Sequence, residues 1–351
     1  MTKSYLGVDL GATSIKIVEL KDEGGRPRLL TYGYSEQTSG YPEKEFTETP
    51  EKAIDLIKKI CAKSRTVSKQ TVAALPSASV FSSVINIPAL VGKDLGSAVQ
   101  WEAKKIIPLP LEEMILDWKV LNPEEPPTVP GTPVTTQKTT QVLLTAAAKN
   151  LVKKYLDIFK GAGLNLVSLE TETFALIRSL IGVDKSTVIV VDMGAASTAI
   201  SIIENGVPFL NRSLNIGGLT ITKEIAASLG TDFNQAEQLK YDVGISGAAE
   251  GGVPKIIERA LSMLLNEIKY CSNVYQSQES ARGRRVEKII LTGGGALLPN
   301  FSEYLSSALN MRTYIGNPWA RVIYPEEMRP ILDQIGPKFS VGIGLAMREI
   351  E

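Results

Sequence analysis

The residues best placed to do chemistry are two acidic turns. In "YLGVDLGATSIKIVEL", residues 5–20, and again in "VIVVDMGAASTAISII", residues 188–203, an apolar strand ends in Asp-x-Gly. A short Ala/Ser/Thr turn follows in each, and a second apolar strand resumes. Asp9 and Asp192 are 192 − 9 = 183 positions apart in a chain of 351 residues. One such turn reads as an ordinary hairpin, because Asp and Gly are turn residues anyway. Two copies between apolar strands suggest two similar halves that each deliver an acidic turn to a shared site. The chemistry that fits is a metal phosphate. The glycine lets the backbone approach phosphate oxygens, nearby amides and hydroxyls donate, and the carboxylate holds a hydrated Mg²⁺. In the first turn Gly11 is that glycine, Thr13 and Ser14 are the donors, and Lys16 adds positive charge.

A third segment, "IILTGGGALLPNF", sets Gly293, Gly294 and Gly295 between a strand and a helix. Three glycines there allow close backbone approach to a nucleoside at a helix N-terminus, or simply make a permissive turn. The run is neither a GxxxxGK[ST] phosphate loop nor GxGxxG, so its weight comes from its position after the second acidic turn.

Composition narrows the remaining chemistry. There is no histidine, which removes Ser-His catalysis, histidine metal sites and the usual acid/base at neutral pH. Lys plus Arg and Asp plus Glu balance at 38 each, so the whole chain carries no nucleic-acid footprint. Cys61 and Cys271 lie far apart without a CxxC, and the N-terminus has no basic region before an apolar run. Both fit a reducing cytoplasm and no signal peptide. No stretch approaches the ~18 apolar residues of a membrane span, so membrane association is expected only through a partner or the surface.

The elements that must position these residues read as follows. Strands at "YLGVDL", "IKIVEL" and "RLLTYGY" precede a helix at "TPEKAIDLIKKICAK", capped by Thr49, opened by Pro50, and buried through Ala53, Ile54, Ile57 and Ile60. Strand "TVAALP" follows. From Ser77 to about Lys149 comes a block of strand, helix and two strands that reads as an inserted subdomain. It is interrupted by the Pro/Thr-rich loop "NPEEPPTVPGTPVTTQKTT", a hairpin tip by composition. Pro88, Trp101 and Trp118 in this block read individually as core. An amphipathic helix with Asn150 as its cap returns the chain to the first half. Helices are expected at "LTITKEIAASLG", "NQAEQLKYDVG" and "IIERALSMLLNEIKYCSNVYQSQ". A final helix is expected at "KFSVGIGLAMREI".

The acidic turns and the glycine run, in this order, resemble the phosphate 1, phosphate 2 and adenosine motifs of the actin-like ATPase superfamily. Within it, "GVDLGATSIKIVEL", "VQWEAKKIIPL", "LDWKVL", "GAGL", the "GG" followed by "AEQLK", and "EIKYCSNVY" are similar to the PilM family of cytoplasmic type IV pilus assembly proteins, relatives of FtsA. The resemblance implies an α/β actin-like fold: two duplicated RNase H-like halves with a small α+β subdomain replacing the usual actin insertion. It implies a first half of residues 1–76, 150–185 and 337–351, the insertion at 77–149, a second half of 186–216 and 284–336, and a helical nucleotide-capping subdomain at 217–283. ATP and Mg²⁺ are expected between the halves. Gly194, Ser197 and Thr198 would join Asp192 at the second phosphate loop, Gly218 would border the nucleotide, and Glu237 and Lys240 would flank ribose and base. Glu170 falls where related ATPases carry a water-orienting residue.

The same resemblance implies a partner and a place. The insertion would receive a short cytoplasmic peptide of a PilN-like inner-membrane protein, which keeps the chain cytoplasmic and peripheral to that membrane among other pilus assembly components. The second turn reads "GAAST" where vigorous relatives are glycine-rich, and the two added Cβ atoms limit backbone approach. Slow or absent ATP hydrolysis is therefore expected. Two other classes stay open: a filament former that self-associates head to tail, and a sugar-kinase-like phosphotransferase. The latter needs a catalytic Asp base that the sequence does not identify.

Overall fold

The computed structural model describes residues 3–36, 45–88, 93–121, 139–245, 252–277 and 284–350. By its internal contacts the chain divides into two units, Met1–Ser77 with Tyr155–Glu351, and Ala78–Lys154. The larger unit is built on two five-stranded sheets of the same design.

In the first sheet, β1 (Ser4–Leu10), β2 (Ser14–Asp22) and β3 (Pro27–Glu36) form an antiparallel meander. After α1 (Pro50–Ser64), β4 (Gln70–Leu75) joins β1 in parallel. The smaller unit then intervenes with β5 (Val80–Pro88), α2 (Lys93–Ile106), β6 (Met114–Leu121) and β7 (Thr139–Ala148). Next come α3 (Lys149–Ala162), β8 (Asn165–Thr171) and α4 (Glu172–Leu176), and β8 completes the order β3-β2-β1-β4-β8. The second sheet repeats it. Strands β9 (Val188–Met193), β10 (Thr198–Glu204) and β11 (Val207–Leu214) are its meander. Helices α5 (Gly218–Leu229), α6 (Phe233–Val243) and α7 (Gly252–Ser277) follow, then β12 (Lys288–Thr292), α8 (Phe301–Leu309) and β13 (Thr313–Ile315), in the order β11-β10-β9-β12-β13. The duplication expected from the acidic turns is thus a duplication of topology.

Central strands β1, β4 and β9 are apolar on both faces because helices cover both, the pattern of parallel-sheet strands. Ile257, Leu261, Leu264, Ile268 and Cys271 of α7, spaced by three or four, pack against Ile189, Val191, Ile200 and Ile202. The last helix, α9 (Arg329–Met347), lies on the first sheet. A Cβ on Gly7 of β1 would fall 1.9 Å from the carbonyl oxygen of Gly342, so only glycine lets strand and helix approach this closely. Nearby, Trp319 is fully buried with Tyr32 and Phe339 and donates Nε1–H to the Leu332 carbonyl at 2.9 Å.

Several local expectations are corrected. Thr49 precedes α1 but does not cap it, because its hydroxyl donates to the Glu45 carbonyl at 3.1 Å and closes the preceding turn. Asn150 is inside the first turn of α3, since β7 ends at Ala148 and leaves no residue for a cap. The final helix starts at Arg329, nine residues earlier than its expected Lys338, and accommodates Pro337. Proline removes an amide there, and its carbonyl accepts from Gly293 N–H at 3.0 Å and Thr292 Oγ1 at 3.1 Å. The Pro/Thr-rich loop lies outside the described residues except for its last two.

In the smaller unit the strands pair antiparallel in the order β5-β7-β6. Val99, Ala103 and Ile107 of α2 and the residue after it pack on Ile87, Val142, Leu144 and Ala146. Trp101 and Trp118 are not core: Trp101 is 63% exposed on the opposite face of α2 with Lys105 Nζ 3.1 Å from its ring centroid, and Trp118 is 39% exposed. Among the described residues no helix is long and apolar enough to cross a membrane.

Candidate functional site

Both acidic turns border one cavity of about 540 Å³ in the larger unit, a size typical of small-molecule sites. The two turns are built alike. Gly11 N–H donates to the Ser14 carbonyl and Gly194 N–H to the Ser197 carbonyl, each at 2.9 Å, so in each half a glycine amide closes the loop joining two antiparallel strands. Asp9, Gly11, Thr13, Ser14 and Lys16 line the cavity from the first half, and Asp192, Gly194 and Ser197 from the second. Gly218, Glu237, Lys240, Gly293, Gly294 and Gly295 also line it.

The electrostatics of the two turns differ. Asp9 pairs across the strands with Lys16, whose Nζ lies 2.9 Å from Asp9 Oδ2. Asp192 pairs with Ala199, so its hairpin supplies no cation. Burial, then the Asp9 charge, push the Asp192 carboxyl up to about 6, and Lys16 opposes them. Behind both stands Glu172, the first residue of α4. Burial pushes it up to about 8, with Asp192 and Asp9 adding to the effect, against the Ser77 amide that donates to its Oε2 at 2.8 Å. Three carboxylates thus converge on the cavity with Lys16 beside them. Among the described residues no group of three His, Cys, Asp or Glu side chains is arranged to hold a metal ion directly.

The opposite wall is shaped by glycine and by one buried lysine. Gly293 has φ +81°, and a Cβ there would meet Asp192 Oδ1 and the Met193 carbonyl oxygen, both at 2.4 Å. Gly295 lies against the Met193 side chain, whereas a Cβ on Gly294 would meet nothing closer than Lys338 carbons at 3.9 Å. Lys240 is 4% exposed and donates to Glu237 Oε2 at 2.7 Å, Thr222 Oγ1 at 2.9 Å and the Gly218 carbonyl at 3.3 Å. Burial holds it below the ordinary lysine range, with Glu237 opposing. This is a buried network that fixes the start of α5 to α6, not the exposed helical pair that an i,i+3 spacing alone would give. At the second turn the first amides of α5 are already engaged: Gly218 N–H donates to the Gly194 carbonyl at 3.0 Å and Leu219 N–H to that of Ala195 at 2.9 Å.

Two expected residues lie elsewhere. Thr198 is fully buried, with its hydroxyl 2.6 Å from the Ile216 carbonyl, where it holds β10 to the segment before α5. Glu170 is tied to Arg178 and Arg348 and does not line the cavity. Strand β8 ends at Thr171, and the turn into α4 carries Glu172 to the cavity instead. Sequence reading passed over Glu172, Lys338, Phe233 and Tyr241, all of them wall residues. For Glu172 the available signal was the doubled acid in "LETETFAL", whose two glutamates are separated only by where the strand stops.

A profile of the family described as "Type IV pilus assembly protein PilM" matches residues 7–350. Among solved structures the chain is similar to one described as a PilM-PilN type IV pilus biogenesis complex, at 28% identity and a TM-score of 0.81, covering 99% of this chain and 98% of that one. It is also similar to MreB 5 of Spiroplasma citri bound to AMPPNP, at 14% identity and a TM-score of 0.52 over 98% and 95% of the two chains, a likeness of fold alone. The cell division protein FtsA of Bacillus subtilis (strain 168) is 22% identical over 245 residues, 62% of this chain and 54% of that protein. The chain therefore matches only about half the length of that curated relative. The duplicated sheets, with the smaller unit inserted in sequence between the fourth and fifth strands of the first, are the actin-like fold.

Proposed function

We propose, for a chain that belongs to the PilM family of type IV pilus assembly proteins, an ATP-binding adaptor whose cavity takes Mg²⁺-ATP. Residues 77–149 would receive the cytoplasmic N-terminal peptide of a PilN-like inner-membrane protein. The observation that carries the nucleotide reading is the convergence of two like-built Asp-x-Gly turns on one cavity. Its donor set fits the ligand: hydroxyls and amides of Thr13, Ser14 and Ser197 for phosphate, Lys16 for charge, and Asp192 as a half-buried carboxylate whose own hairpin holds no cation.

Asp9 and Asp192 would hold the Mg²⁺ through its water shell, and the ion would supply charge neutralisation at the phosphates. Gly293, Gly294 and Gly295 would lie along the nucleoside, with Glu237 and Lys240 toward ribose and base. Glu172, rather than Glu170, is the carboxyl at the wall that could orient a water. Two features favour nucleotide as a conformational ligand with slow turnover. The α5 amides are spent on the second loop, and Ala195 and Ala196 occupy the turn where glycines would come closer. The partner is supported by the similarity to the PilM-PilN complex, and it would keep the chain cytoplasmic and peripheral to the membrane. By linkage, ATP and peptide would change each other's affinity by one common factor.

The test is calorimetry on the full chain with Mg²⁺-ATP, comparing wild type with Asp9→Asn and Asp192→Asn. Each substitution should weaken Mg²⁺-dependent binding at least about tenfold, the loss of one charge-assisted contact of about 1.4 kcal/mol or more. Unchanged affinity in both variants refutes the reading.

A further inference from the structure

One of the two places where the chain passes between its two units is hydrogen-bonded to a cavity-wall carboxylate, and the charge of that carboxylate reaches the other. The chain leaves the larger unit after Ser77 and re-enters it at Tyr155, partway along α3. The Ser77 amide donates to Glu172 Oε2 at 2.8 Å, and Glu172 lines the cavity. Tyr155 is fully buried, and after burial itself the charge that most raises its hydroxyl is that of Glu172, followed by Asp9 and Glu45.

Tyr155 Oη is buried and has no hydrogen-bond partner among the described residues, whereas the Ser77 hydroxyl sits with its amide at the Glu172 carboxyl, where both favour the charged form. An unmet buried hydroxyl costs about 1–3 kcal/mol. The Glu172 carboxylate can accept up to about four hydrogen bonds and accepts one from the Ser77 amide. Such a group has a second arrangement within reach. Its oxygens can face a ligand in the cavity, or they can keep their bonds at Ser77.

We propose that Glu172, Ser77 and Tyr155 form a relay between the cavity and both crossings. Ligand binding that engages the Glu172 carboxyl would thereby change the hydrogen bonding where the chain enters and leaves the smaller unit. This rests on the reading that the cavity binds Mg²⁺-ATP, and it supplies the two-state element that coupling to a peptide on residues 77–149 requires. Ser77 and Tyr155 act here as positioning residues, since neither lines the cavity.

The experiment uses the full chain and two measurements, calorimetric Mg²⁺-ATP affinity and hydrogen exchange of peptides covering residues 76–82 and 149–157, with and without Mg²⁺-ATP. In the wild type, exchange at both crossings should change by about threefold or more on binding. Ser77→Ala, which keeps the amide and removes the hydroxyl, and Tyr155→Phe should each bind Mg²⁺-ATP within about twofold of wild type yet lose most of that change at their own crossing. A merely structural role would shift exchange equally with and without nucleotide. Wild-type binding with no change at the crossings overturns the relay and leaves the nucleotide reading standing, as does an undiminished change in both variants. Absence of Mg²⁺-ATP binding to the wild type overturns both. If one variant fails to fold, the other decides.

Discussion

Replacing Glu172 with Gln should flatten the pH dependence of stability in the nucleotide-free protein. The Glu172 carboxyl is pushed up to about 8 by burial, then by Asp192, then by Asp9. In the unfolded chain it returns to about 4.3. The folded state therefore holds a proton there that the unfolded state releases, so stability is fully present at low pH and is lost as pH rises toward 8. Each pH unit between those values is worth up to about 1.4 kcal/mol. Because Glu172 and Asp192 share the penalty, on the order of 2 kcal/mol is expected to fall to Glu172 itself. Gln mimics the protonated form and can still accept from the Ser77 amide. At pH 5 the variant should match wild type within about 0.5 kcal/mol, and at pH 8.5 it should be the more stable by about 2 kcal/mol, or several degrees in Tm. Urea denaturation at the two pH values reads this directly. Parallel wild-type and variant profiles across that range would falsify the placement of Glu172 in the carboxylate cluster of the cavity.

Two further perturbations separate backbone geometry from packing. Gly293→Ala puts a Cβ 2.4 Å from Asp192 Oδ1 at φ +81°. It should cost more than about 2 kcal/mol and displace the Asp192 carboxylate, while Gly294→Ala, with open space at its wall, should stay within about 0.5 kcal/mol by chemical denaturation. Trp319→Ala removes a fully buried indole from the cluster with Tyr32 and Phe339 and breaks its bond to the Leu332 carbonyl. It should cost about 3–5 kcal/mol in a urea melt without altering the Mg²⁺-ATP affinity of the fraction that remains folded.

What the sequence made legible follows from how local each signal was. The two halves were readable because Asp-x-Gly between apolar runs is a local pattern that recurs, and α7 because Ile257, Leu261, Leu264 and Ile268 repeat every three or four residues. The misses depended on contacts that no local pattern encodes. Pro337 reads as a helix breaker, yet its carbonyl accepts from Thr292 at the end of β12 and from Gly293 just after it, over forty residues earlier. Trp101 reads as core by type, but the stripe of Val99, Ala103 and Ile107 had already fixed the buried face of α2 and turned the indole outward. Glu170 and Glu172 are distinguished only by a strand ending at Thr171. A two-residue shift in that boundary, ordinary for sequence reading, exchanges which acid meets the cavity.

The duplication is also where the halves have diverged with consequence. At equivalent cross-strand positions the first hairpin opposes Asp9 with Lys16 and the second opposes Asp192 with Ala199. The first carboxylate is therefore answered within its own hairpin at 2.9 Å. The second meets burial and the charge of Asp9, which together drive it up to about 6. Removing the two charges should then have opposite effects on the nucleotide-free protein near pH 8. Asp192→Asn deletes a half-buried charge that lacks a partner in its hairpin and should raise stability. Asp9→Asn deletes the partner of a nearly buried lysine and should lower it, each by on the order of 1–2 kcal/mol. Toward a divalent cation the effects converge, since either substitution removes negative charge from the cavity. A variant pair that diverges in stability and agrees in weakened Mg²⁺-ATP binding is the signature of an acidic site completed from outside the chain. If Asp192→Asn were the less stable of the two, Asp192 would instead be held by protein contacts, and the cavity would have no need of a cation on that wall.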